Sequence, residues 1–92
     1  MIIAEDFKDL YNKEELLIRF ASTYKQVELM YPYHWWYDKK TNIFQTNSTD
    51  NFNLYAKIQV LNILLASLDI KNEGEYFKSL SEGIKLKESY LK

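Results

Sequence analysis

His34 is the only histidine in the 92-residue chain, so imidazole chemistry has one place to occur. Asp38 follows four positions later. In an extended stretch, alternation puts His34, Trp36 and Asp38 on one face. An imidazole beside a carboxylate can orient a proton transfer or contribute to a metal site. A hydrolytic metal site takes about three protein ligands, and no spacing here supplies the others. A nucleophilic triad needs an activated hydroxyl, and nothing marks Ser22, Ser48, Ser67 or Ser79 as one. The chain has no cysteine, which removes thiolates and disulfides. Its two glycines, Gly74 and Gly83, fit neither of the phosphate-binding loop patterns. The carboxylate pairs Glu14 with Glu15 and Glu73 with Glu75 fall at expected helix starts, where they compensate the helix dipole. The expectation is a protein that is not an enzyme, with no catalytic residue, no metal and no cofactor. His34 then reads as a hairpin histidine hydrogen-bonded to a neighbour.

The stretch from Tyr31 to Thr46 is the strongest candidate for binding. Tyr33, His34, Trp35, Trp36, Tyr37 and Phe44 bring rings together, and Lys39 and Lys40 add cations. Rings with nearby cations can stack single-stranded bases. Tryptophan and tyrosine also dominate protein–protein hot spots. The net charge of −1 provides no global positive field, which favours a protein partner over nucleic acid. Against both stands a purely structural role, in which the rings roof a small core. Alternation divides the two roles, because one face can be core while the other meets a partner.

These rings need elements to hold them. Aromatic residues favour strands, and Asp38 to Asn42 has turn chemistry. The pattern predicts a β-hairpin with strands near Tyr33–Tyr37 and Ile43–Thr46. Its Tyr33, Trp35 and Tyr37 face should oppose the His34, Trp36 and Asp38 face. A lone hairpin is marginal, so one face should lie on helices. The largest helical signal runs from about Phe52 to Leu68. Leu54, Ile58, Leu61, Leu65 and Leu68 recur at three- and four-residue steps, and Val60 and Leu64 widen that stripe. Such a helix must be covered from several directions, and the other elements are expected to pack around it. Thr49 or Asp50 could cap it.

Three further helices are expected. Ile3, Phe7, Leu10 and Tyr11 predict a short first one. Asn12 with Glu15, and Asn72 with Glu75, have the spacing of capping boxes. They predict helices over about Lys13–Met30 and Glu73–Tyr90. Leu16, Phe20, Tyr24, Val27 and Tyr31 form the stripe of the former, with Leu17 beside it, and Pro32 ends it. Tyr76, Phe77, Leu80, Ile84 and Leu91 form the stripe of the latter. Gly83 falls on that stripe in mid-helix, which suits a close helix approach or a merely tolerated glycine. Ile18 and Leu29 lie on the polar side of the earlier helix. They read as two isolated surface residues, with a contact patch or a homodimer face as the alternative.

The fold class is therefore mainly α: a small helical bundle of order helix-helix-hairpin-helix-helix with one inserted β-hairpin, with α+β as the alternative. Ninety-two residues make one small globular domain. Met1-Ile-Ile-Ala leads directly into Glu5 and Asp6, which predicts no secretory signal. No apolar run is long enough to span a membrane. A cytoplasmic protein is expected, in the host cytoplasm if the source is viral. Abundant Lys, Asn, Ile and Tyr with a single arginine, Arg19, suggest an AT-rich bacterial or phage genome. The sequence thus points to a small protein-binding regulator, an inhibitor or accessory factor, gripping its partner with the hairpin. The alternative is a single-stranded nucleic-acid-binding module using the same rings and lysines.

Overall fold

The computed structural model describes residues 11–48 and 50–90. The element order is α1 (Lys13–Met30), β1 (Trp35–Asp38), β2 (Ile43–Thr46), α2 (Phe52–Ser67) and α3 (Glu73–Tyr90). This is the mainly α fold with an inserted hairpin that the patterning predicts. The expected first helix lies outside the described residues except for Tyr11, which stands at a bend before α1.

An asparagine starts each helix. The Oδ1 atoms of Asn12, Asn51 and Asn72 accept from the amides of Glu15 (2.9 Å), Leu54 (3.2 Å) and Glu75 (2.9 Å). Each satisfies an amide that has no partner inside the helix. Around Asn72 the Glu75 carboxylate also reaches back to the Lys71 amide at 3.3 Å. The cap of α2 is thus Asn51, not Asp50, while Thr49 lies outside the described residues. The bond from the Asn51 amide to the Ser48 carbonyl (3.1 Å) turns the chain so that this side chain is the one over the helix end. At the other end of α2, Ile70 N–H bonds to Leu65 O and Asp69 N–H to Ala66 O, with Asp69 at φ 54°. That is a Schellman ending, and its outer residue, Ile70, is buried, as commonly accompanies the motif.

The leucine stripe of α2 supplies much of the core: Leu54, Ile58, Leu61, Leu64 and Leu65 are all buried. The element that packs extensively on both other helices is nevertheless α1, which runs along α2 and along α3. Phe20, Leu16, Tyr24 and Val27 of α1 join the α2 leucines, Ile70 and Tyr76 in one cluster. Gly83 explains the close approach of α3. A Cβ there would collide with the Leu17 carbonyl oxygen and come within 2.8 Å of the Ala21 Cβ. Farther along this seam, Tyr90 Oη donates to Glu14 Oε2 at 2.7 Å, and that bond raises the Tyr90 pKa.

The hairpin is antiparallel, with Trp35 opposite Thr46, Trp36 opposite Gln45, Tyr37 opposite Phe44 and Asp38 opposite Ile43. The first strand begins at Trp35 instead of Tyr33. Thr46 Oγ1 donates to the His34 carbonyl at 2.6 Å and closes the ladder there. The loop Lys39–Asn42 turns on Asn42, at φ 57°, a left-handed conformation that asparagine tolerates.

Candidate functional site: the two faces of the aromatic hairpin

The side chains of Trp35, Tyr37 and Phe44 point inward, as period-two alternation requires. Phe44 is 1% exposed, and five rings surround it. Tyr76 lies at 5.2 Å between centroids, Tyr37 at 5.4 Å, Trp35 at 5.7 Å, Tyr24 at 6.2 Å and Phe20 at 6.4 Å. Most of these rings meet edge to face, the geometry that aromatic quadrupoles favour. Phe44 is thus a core residue, and a partner cannot reach its ring without unfolding the hairpin. Beneath it the hydroxyls of Tyr24 and Tyr76 form a buried bond of 3.0 Å. Burial is the main cause of the strongly raised Tyr76 pKa. Desolvation likewise raises the Tyr37 pKa, with Glu73 and Asp38 adding repulsion.

The second strand is fastened by a residue that no binding motif marks. Asn62, in the middle of α2, presents its amide to the backbone of Phe44. Phe44 N–H donates to Asn62 Oδ1 at 2.7 Å, and Asn62 Nδ2 donates to the Phe44 carbonyl at 3.0 Å. One side-chain amide thus takes the place of a third strand along this edge. The legible signal was one asparagine inside the apolar run Val60–Ala66. A second fastening joins the loop to the end of α2, where Asn42 Nδ2 donates to the Ile70 carbonyl at 2.8 Å.

The outer face carries Trp36, Asp38, Ile43 and Gln45. Trp36 is 47% exposed, and Ile43 is exposed beside it. Tyr33, in the turn before β1, is 88% exposed. The hydrogen bond expected between the His34 imidazole and a neighbour does not form among the described residues, where only the His34 carbonyl is engaged, by Thr46. Asp38 accepts from the Lys40 amide (2.9 Å) and from Gln45 Nε2 (3.0 Å). The backbone bond from Lys40 is the main reason its pKa is lowered. His34 is exposed just outside the ladder. Lys39 forms a solvent-exposed ion pair with Glu73 at 3.4 Å, and Lys40 is exposed at the loop. The eight candidate residues therefore divide. Tyr33, His34, Trp36, Lys39 and Lys40 are exposed, Trp35 and Tyr37 are half-buried roof, and Phe44 is core.

Away from the hairpin, Ile18 lines a groove of about 480 Å³ with Val60 and Leu64, whereas Leu29 is exposed near the end of α1. Ile18 and Leu29 therefore have different surroundings. Among the described residues no cluster of three His, Asp or Glu side chains is placed to hold a metal ion. No helix among them is long and apolar enough to cross a membrane. Comparison with protein-family models, curated proteins and solved structures finds no match.

Proposed function

We propose that the chain is a small non-enzymatic regulator that binds another protein through the outer face of its hairpin. The observation that carries this reading is the division of the rings. Three aromatic side chains hold the ribbon to the helices, while Trp36 and Tyr33 stay in contact with water. A core needs no exposed tryptophan, and tryptophan is the side chain most enriched where proteins grip each other. Ile43 extends the apolar centre, and His34, Lys39 and Lys40 supply a polar rim. The AT-rich residue usage fits a phage or bacterial inhibitor or accessory factor working in the cytoplasm.

Affinity capture from a bacterial lysate tests the reading, using wild type, Trp36→Ala and Tyr33→Ala. Phe52→Ala serves as a control, because Phe52 is likewise open to solvent but stands on α2 and not on the hairpin. A partner recovered by wild type and the control but lost by Trp36→Ala supports the reading. Equal recovery by all four excludes this surface. Nucleic-acid binding by the same rings would instead give a mobility shift that weakens steeply with salt. The net charge of −1 and the engagement of Lys39 by Glu73 both weigh against that outcome.

A further inference from the structure

We infer that β1 pairs with β1 of a second copy of this chain, across a twofold axis through Trp36. The register already described leaves that edge open. The N–H and C=O of Phe44 both turn away from β1 toward Asn62, so Phe44 and Tyr37 form a non-hydrogen-bonded pair. The N–H and C=O of Tyr37, and of Trp35 two residues earlier, must then point off the opposite edge. Among the described residues none bonds to these four groups. No helix makes an extensive backbone approach to β1. Open strand edges are templates for further pairing, and nothing here blunts this one with proline or a bulge.

The side chains select the occupant. An antiparallel partner must meet outward-pointing groups with outward-pointing groups. Trp35 of one copy opposite Tyr37 of the other achieves this. That register places Trp36 opposite its own symmetry mate, on the outer face, where two half-exposed indoles cover each other. It also sets His34, immediately before the strand, opposite Asp38 of the other copy, and it does so twice. Asp38 already accepts from Lys40, Thr41 and Gln45, and its carboxylate is partly exposed where His34 of the other copy would reach it. The surface is thus self-complementary, as a twofold contact requires. A net charge of −1 per chain puts little repulsion between copies. A strand of four residues makes a small interface, so the pair belongs to the weak, concentration-dependent dimers. Pairing would join two outer faces into one four-stranded surface, which goes beyond the single hairpin face of the proposed function.

Sedimentation equilibrium over a concentration series, combined with cysteine crosslinking, tests the inference. Wild type should show a reversible monomer–dimer equilibrium. His34→Asp places two carboxylates opposite each other at both ends and should raise the dissociation constant about tenfold, whereas His34→Lys should hold or tighten it. The chain has no cysteine, so Trp36→Cys introduces a single thiol. Opposed Cβ atoms in a non-hydrogen-bonded pair are close enough for a disulfide, so oxidation should yield a covalent dimer. Leu29→Cys, exposed on α1, should not crosslink at the same concentration. Three results would overturn the pairing: a monomer throughout the series, Trp36→Cys crosslinking no faster than Leu29→Cys, or a dimer indifferent to both His34 variants. None of them bears on whether Trp36→Ala loses a captured protein.

Discussion

Gly83 is where a general preference and this packing disagree in sign. In an exposed helix interior, alanine is favoured over glycine by about 1 kcal/mol. Here the added methyl would collide with the Leu17 carbonyl oxygen, and a backbone atom cannot swing aside. Gly83→Ala should therefore destabilise, by about 1–3 kcal/mol in urea denaturation, and a stabilised variant would show that the helices can part. The buried hydroxyl pair gives a second test. Tyr76→Phe leaves the Tyr24 hydroxyl buried without its partner, which costs about 1–3 kcal/mol. Adding Tyr24→Phe removes the orphan, so the double variant should be more stable than the sum of the two single losses implies. Strict additivity would mean that the two hydroxyls do not depend on each other. Both residues fell on apolar stripes in the sequence. Their bond did not, because residues 52 positions apart meet only through the crossing of α1 and α3.

The hairpin depends as an element on groups outside it. Asn62→Ala removes both bonds to Phe44 and leaves its N–H and C=O unpaired at a covered edge. A loss of about 2–3 kcal/mol is expected, with faster hydrogen exchange in β2. Asn62→Asp could still accept from the N–H but would repel the carbonyl, so it should not restore wild-type stability. Asp38 gives the loop a pH dependence. Its pKa is lowered in the folded chain, so the unfolded chain binds the proton more readily. Its contribution is complete above the ordinary carboxylate value and is lost as pH falls through the depressed one. The stability gap between wild type and Asp38→Asn should therefore close in acid, and a gap that persists there would rule out this origin. Element types and bounds were largely legible, because Asn12 and Asn72 carry capping spacing, Pro32 stops α1 and the leucine stripe runs unbroken through α2. The start of β1 was less legible, because ring content continues back to Tyr33 while the ladder ends where Thr46 takes the His34 carbonyl. The α2 cap was misplaced by one or two residues, because Thr49, Asp50 and Asn51 are all good caps and the Ser48 turn decides among them.

At the scale of the fold, the three helices among the described residues enclose one core and the hairpin lies over its aromatic end. Leucines from α2 and rings from α1, α3 and the hairpin are continuous in that core. The prominence of α2 in the sequence reflected how much of it is buried, whereas the order of packing gives the middle place to α1. Alternation alone divides the ribbon into two faces. Which face turned inward could not be read from the rings alone, because tryptophans adjoin on both. The choice is made by Phe44, whose register with Tyr37 and clamp by Asn62 turn that side to the helices. The central claim is that the outer face is spare: the fold does not need it, and recognition can use it. The urea midpoint of Trp36→Ala tests this most directly. It should be followed by the fluorescence of Trp35 in dilute solution, where copies do not pair. The account predicts a change in stability within about 0.5 kcal/mol of wild type, as for an ordinary surface position. A loss of about 3 kcal/mol or more, the cost of truncating a core ring, would contradict it.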